Sequence, residues 1–234
     1  MLILAFETSA KAGSAALMDD NKLLGESYNN TGLTHSQTLL TMAEDLLKNC
    51  GYGPKDVTAV AVAAGPGSFT GVRIGVAAAK GFAWGGELPC YGVSTLEAMA
   101  KQMGVFQGYI CPVMDARRSQ VYNALFHAEK GQLHRICDDR AIALADLAEE
   151  LKNLKEPIFL VGDGSVLCYN TLLESVPALV LPEEHRMHQR ATGVALLARD
   201  LANAGLAPSG AELEPNYLRL SQAERERLEK EKQN

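Results

Sequence analysis

Three acids stand where a strand-like run gives way to a turn: Glu7 after Leu2–Phe6, Asp115 after Tyr109–Met114, and Asp163 within Gly162-Asp163-Gly164. In a two-lobed kinase-like fold, carboxylates at the cleft hold Mg2+ or activate water. The turn after Glu7, however, is Thr8-Ser9-Ala10-Lys11, which lacks the Asp-x-Gly-Thr pattern that brings backbone up to phosphates. Glu7 therefore reads as structural rather than catalytic. Gly65-Pro66-Gly67-Ser68-Phe69-Thr70-Gly71 joins an apolar run to a helical one. A glycine turn at a helix start leaves N–H groups free and gathers partial positive charge, so it can hold an anion. Two known templates fail here. Walker A needs Lys-Ser or Lys-Thr where the chain has Val72-Arg73, and the dinucleotide fingerprint needs a glycine where it has Thr70. The segment fits a structural turn better than a phosphate cradle.

The five histidines are His35, His127, His134, His185 and His188. His185 and His188 lie three apart in a polar loop with no third ligand near, and His35 has Leu39 where a second ligand would fall. Neither pattern makes a metal site. The five cysteines are widely spaced without a C-x-x-C, which argues against a disulfide scaffold or thiolate zinc. They read as small buried hydrophobes in a reducing cytosol. No Ser–His–Asp or Cys–His set can be assembled from spacing alone.

These residues must be positioned by a chain of 234 residues, 47% hydrophobic and 21% charged, enough for one large domain or two lobes. The richest apolar stretch, Gly71 to Gly86, is broken by Arg73 and Lys80, so no membrane helix is expected. The N-terminus has no basic region and does not read as a signal peptide. A net charge of −6 makes the chain a poor stand-alone binder of nucleic acid.

Periodicity predicts strands over Leu2–Phe6, Gly13–Met18 and Lys22–Asn29. A helix follows over Ser36–Cys50, stopped by Gly51, then a strand over Val57–Ala64 and a helix to about Trp84. A strand over Leu88–Val93 leads to a helix begun by the capping-box spacing Ser94-x-x-Glu97. From Tyr109 the pattern restarts. Strands run over Tyr109–Met114, Val121–His127 and His134–Ala143, with a helix over Leu144–Leu154. A strand over Pro157–Val161, a helix over Ser165–Val176, a short strand over Leu179–Leu181 and a helix over Thr192–Ala204 complete it. Both halves read as three antiparallel strands, a helix, a strand, a glycine turn and a helix. The expected architecture is a duplicated α/β fold, with mixed sheets, outer helices and a cleft between lobes. The lobes are assigned to residues 1–106 and 107–221, and residues 222–234, with four acids and four bases, to a charged tail. Gly71, Gly75, Ala78, Ala79 and Gly81 cost helix propensity and permit close helix contact, within the lobe or with another chain.

Ala64-Gly65-Pro66-Gly67-Ser68-Phe69-Thr70-Gly71-Val72-Arg73-Ile74-Gly75 resembles the signature of the bacterial TsaB family, also called YeaZ. Leu2–Ser9, Gly32–Ser36, Met114-Asp115-Ala116-Arg117-Arg118 and Pro215-Asn216-Tyr217-Leu218-Arg219 fit it in the same order, so the resemblance covers nearly the whole chain. It implies an actin-like, Hsp70-like (ASKHA) fold of two similar lobes and a part in making N6-threonylcarbamoyladenosine in tRNA. In that family's system a TsaD subunit carries the metal and transfers the threonylcarbamoyl group, and a TsaE ATPase completes the assembly. The resemblance makes this chain a non-catalytic partner subunit in the cytoplasm, a homodimer when alone, that meets tRNA only through the complex. It assigns the chain no catalytic residue, metal or cofactor. The partner face falls on the first two helices, and Leu39, Leu46, Val72, Val76 and Ala79 are taken as its contacts. An independent ASKHA-type ATPase or small-molecule kinase is the alternative.

Overall fold

The computed structural model describes residues 1–103 and 106–219. The charged tail assigned to 222–234 lies outside them. Strands β1 (Leu2–Glu7), β2 (Gly13–Asp19), β3 (Lys22–Asn29), β4 (Ala59–Gly65) and β5 (Cys90–Ser94) form one sheet, ordered β3-β2-β1-β4-β5. Strands β6 (Gly108–Asp115), β7 (Gln120–Glu129), β8 (Gln132–Ala143), β9 (Ile158–Val161) and β10 (Leu179–Val180) form the other, ordered β10-β9-β6-β7-β8. The second order is the first read through the duplication. In each sheet the first three strands pair antiparallel, and the central strand pairs parallel with the strand that follows a helix.

The helices are α1 (His35–Asn49), α2 (Phe69–Gly86), α3 (Thr95–Met103), α4 (Leu144–Leu151), α5 (Ser165–Leu172), α6 (Glu184–Met187) and α7 (Ala191–Asn203). Alternation along β1 decides what each face covers. Leu2, Leu4 and Phe6 pack under α1 and α2, whereas Ile3 and Ala5 pack under α7. On the second sheet Cys111, Val113 and Leu160 meet α4 and α5, whereas Ile110, Met114 and Phe126 meet Leu96, Met99 and Met103 of α3. The molecule is therefore layered as α1/α2, first sheet, α3/α7, second sheet, α4/α5.

The two central helices are exchanged. Helix α7 belongs to the second half of the chain yet covers the first sheet, and α3 belongs to the first half yet covers the second. A boundary at residue 106 separates the sheets but not the helices that bury them. The two touch where a side chain on Gly193 would come within 2.2 Å of the Ala98 carbonyl oxygen.

The capping-box spacing is used in part. The Glu97 N–H donates to Ser94 Oγ at 3.1 Å, but the Glu97 carboxylate pairs with Arg135 at 2.6 Å instead of closing back on the cap. Helices α4 and α5 end earlier than their periodicity predicts, and their last turns run on as loops held by Leu154 N–H to Leu151 O and Val176 N–H to Leu172 O. The polar segment around His185 contains the one-turn α6. Buried Met187 draws it inward, and the Met187 carbonyl accepts the Gly162 N–H at 2.6 Å.

Beyond α7 the chain returns to the first lobe as a strap. Tyr91 Oη donates to the Leu206 carbonyl, Cys90 N–H to Pro208, and Lys80 Nζ to Leu213, while the Leu213 side chain enters the first core.

Candidate functional site

The lobes and the strap enclose a cleft of about 420 Å3, lined by Ser9, Lys11, Gly67, Phe69, Asp115, Arg117, Asp163 and Asn216–Arg219 among others. The duplication places the same device on both sides of it. Glu7 ends β1 and its Oε1 accepts the Ser9 N–H at 2.6 Å; Asp115 ends β6 and its Oδ1 accepts the Arg117 N–H at 2.7 Å. Each carboxylate thus shapes the turn two residues on, which makes these acids turn-formers first.

Glu7 is buried, and its Oε2 has no hydrogen-bond partner. Burial pushes its carboxyl up to about 7, against the pull of the Ser9 hydrogen bonds, and nearby Asp163 adds to the rise. Asp163 is exposed as a residue, yet desolvation raises its carboxyl, with the hydrogen bond from Gln189 at 3.3 Å pulling the other way. The three acids named from the sequence do share this region. Among the described residues, no three His, Cys, Asp or Glu side chains gather to hold a metal ion.

His35 is half-buried, its Nε2 2.7 Å from the Ala10 carbonyl oxygen, so it fastens the start of α1 to the turn after β1. His185 and His188 face Glu183 and Glu184. All five cysteines are free. Burial pushes the Cys90 and Cys168 thiols up to about 11 and about 12, so they pack as apolar groups and are not thiolates.

The glycine turn and α2 are built for contact with their own lobe. Ser68 caps α2 by accepting the Gly71 N–H, and its own N–H donates to the Ser9 carbonyl at 2.6 Å. A side chain on Gly71 would meet the Thr8 carbonyl oxygen at 2.1 Å. Thr8 Oγ1 donates to the Gly71 carbonyl, and a side chain on Gly75 would meet that hydroxyl at 2.4 Å. This inner stripe continues through Ala79 and Ala83.

The outer stripe of α2 is separate. Ala77, Gly81 and Gly85, at four-residue spacing, face solvent, and nothing lies within 4 Å of a side chain built on either glycine. Beside them Trp84 is 84% exposed, and Leu40 on neighbouring α1 is 58% exposed. The side chains taken from the sequence as partner contacts are placed otherwise. Leu39, Leu46, Val72, Val76 and Ala79 are between 0% and 7% exposed and lie in the lobe's own core with Leu4, Phe6 and Val62. That choice is corrected on physical grounds. The apolar residues at helical spacing are the ones burial claims first, so they keep no surface to offer a partner.

Two features define the class of protein: the sheet duplicated on itself, and a cleft between halves that share a topology. Component A of (R)-2-hydroxyglutaryl-CoA dehydratase from Acidaminococcus fermentans shares the fold, with a TM-score of 0.53 at 10% identity, covering 87% of this chain and 99% of that one. The fold is the duplicated actin-like, or ASKHA, fold. Nearer relatives narrow it. YeaZ from Pseudomonas aeruginosa superposes with a TM-score of 0.74 at 26% identity, covering 93% of this chain and 99% of that one. The tRNA threonylcarbamoyladenosine biosynthesis protein TsaB of Bacillus subtilis (strain 168) is 34% identical over 234 residues, 99% of this chain and 100% of that protein. The family model described as TsaD, tRNA N6-adenosine threonylcarbamoyltransferase, matches residues 29–226. The chain belongs to the TsaB (YeaZ) family, and its role lies in the biosynthesis of threonylcarbamoyladenosine in tRNA. Among the described residues, no helix is long and apolar enough to cross a membrane.

Proposed function

We propose that this chain is a non-catalytic subunit that binds and activates a TsaD-like catalytic subunit through the outer faces of α1 and α2. One observation carries the reading. Helices α1 and α2 bury one stripe in their own lobe and still present a second, made of Leu40, Ala77, Gly81, Gly85 and Trp84. Small residues at four-residue spacing let another helix approach closely, and an exposed tryptophan beside them is the residue type that dominates interface energies. Exposing glycines in mid-helix costs about 1 kcal/mol each relative to alanine, and a covering partner offsets that loss.

The cleft acids fit this reading better than an independent ATPase or kinase. Glu7 and Asp115 are engaged in forming their turns, and the Glu7 carboxyl is raised toward its neutral form. A TsaE-like ATPase completes the assembly. In the absence of the catalytic partner, the same two-helix face pairs with a second copy of the chain, so the partner displaces the homodimer.

The test is reconstitution. The purified chain alone transfers nothing to tRNA, and adding its cognate TsaD-like and TsaE-like proteins restores transfer. Trp84→Glu abolishes capture of the TsaD-like subunit while the far-ultraviolet spectrum and urea midpoint stay near wild type. Transfer by the isolated chain, or tight Mg-ATP binding with turnover in calorimetry, overturns the reading.

A further inference from the structure

The chain carries a net charge of −6, yet basic side chains outnumber acids at the cleft mouth. Lys11, Arg117 and Arg219 line the cleft against Asp115 and Asp163, Arg118 follows in the same turn, and Arg73 stands over Phe69 at the rim. These cations divide by use. Arg73 is held by Tyr217, and Arg219 Nη1 donates to the Ala116 carbonyl at 2.6 Å. Lys11, Arg117 and Arg118 are exposed, and the ion pairs among the described residues engage other cations.

The turn that displays the two exposed arginines has an unusual backbone. Arg117, Arg118 and Ser119 have φ of +66°, +57° and +56°, three left-handed residues in succession without a glycine. The left-handed region is disfavoured for an L-residue with a Cβ, and Asn or Gly would form such a turn more easily. The surroundings fasten it from every side. Ala116 N–H donates to Gln120 O at 3.1 Å, Leu144 N–H to Ser119 O at 3.1 Å, and Arg117 N–H to the Asp115 carboxylate. Arg219 braces it from the strap.

We propose that Lys11, Arg117 and Arg118 form a contact surface for the phosphodiester backbone of tRNA, used when the chain sits in its complex. Guanidinium forks match phosphate oxygens, and backbone contacts set position without reading bases. The surface lies at the cleft mouth, and α1 and α2 remain free for the catalytic subunit. The inference rests on the partner reading only in that the complex delivers the tRNA.

The test is fluorescence anisotropy of labelled tRNA with the assembled complex over a salt series. A chain carrying Lys11→Ala, Arg117→Ala and Arg118→Ala should bind tRNA on the order of tenfold more weakly at ~0.1 M salt. The slope of log K against log salt should fall by about two to three, since each lost phosphate contact removes about 0.7–0.9. Capture of the TsaD-like subunit should be unchanged. Arg117→Lys with Arg118→Lys keeps the charge and should keep the slope. An unaltered slope in the alanine variant, or a collapsed slope in the lysine variant, overturns the proposal and leaves the partner reading standing. Loss of the protein partner with tRNA affinity retained also overturns it, and makes the turn a protein contact. If the wild-type chain forms no complex, the partner reading fails, and the same series on the chain alone at low salt decides the surface: equal binding by both chains sinks it.

Discussion

Arg73 and Tyr217 fasten α2 to the strap. Arg73 Nε donates to the Tyr217 hydroxyl at 2.7 Å, and its guanidinium lies 3.9 Å from the centroid of Phe69, which stacks on Tyr217 at 4.9 Å. The strap has other anchors, among them Asn216 N–H to Ala64 O and buried Leu213, so it should stay attached when this one is cut. Tyr217→Phe removes the hydrogen bond alone and should cost about 0.5–1 kcal/mol. Arg73→Ala removes the hydrogen bond and the cation–π contact and should cost about 1–2 kcal/mol. Urea denaturation of both single variants and the double variant measures this, and purely additive losses would show that the two side chains do not act together.

Gly71 of α2 is buried against Thr8, whereas Gly81 of the same helix is exposed. Gly71→Ala forces a methyl group against the Thr8 carbonyl oxygen, so the turn and the helix must separate, and a loss of about 2 kcal/mol or more is expected. Gly81→Ala meets nothing and should raise stability by up to about 1 kcal/mol through helix propensity. The same methyl group stands on the proposed partner face and should weaken capture of the TsaD-like subunit. Thermal melts and pull-down together separate the two effects.

Glu7 gives stability a pH dependence of definite sign. Its folded-state carboxyl is raised from 4.5 to about 7 by burial, so the folded protein keeps that proton to higher pH than the unfolded chain does. Stability from this group is full below about pH 4.5 and is lost as pH rises through about 7. Glu7→Gln keeps the oxygen that accepts the Ser9 N–H and carries no charge. It should be more stable than wild type at about pH 8 and should flatten the fall in urea midpoint between about pH 5 and about pH 8. Parallel curves for the two proteins would contradict the raised carboxyl.

Ala79 and Ala77 test the two faces by charge. Ala79 is fully buried, so Ala79→Glu places an unpaired carboxylate in the first core and should prevent the lobe from folding. Ala77 is exposed, so Ala77→Glu should fold normally and lose the partner. Circular dichroism and size exclusion distinguish the outcomes.

The order of strands and helices was legible because local signals agreed with the final packing. The unbroken apolar run Leu2–Phe6, the Leu39/Ala43/Leu46/Leu47 spacing and the Ser94-x-x-Glu97 start all match the elements seen. The glycine turn was legible as a turn for the same reason. Which side chains of α2 stay exposed was not. Helix α2 is small and apolar on both faces, and no local rule says which face its own sheet takes. Leu40 and Trp84 were the available signal, as large apolar residues out of phase with the buried stripe. Nor could periodicity reveal that α3 and α7 trade sheets, because a helix with one apolar stripe fits either sheet equally well. Ala116–Ser119 was legible as a tight segment after the strand, but the left-handed backbone of Arg117–Ser119 was not, because its residues are not those that favour it.

The exchange of α3 and α7 bears on how the chain comes off the ribosome. Residues Ala191–Asn203 are needed to shield Ile3, Ala5, Ala61 and Ala63, which are synthesised long before them. Until α7 emerges, β1 and β4 have an uncovered inner side. The nascent polypeptide should therefore present a sticky half-made sheet to chaperones until α7 has been made and docked.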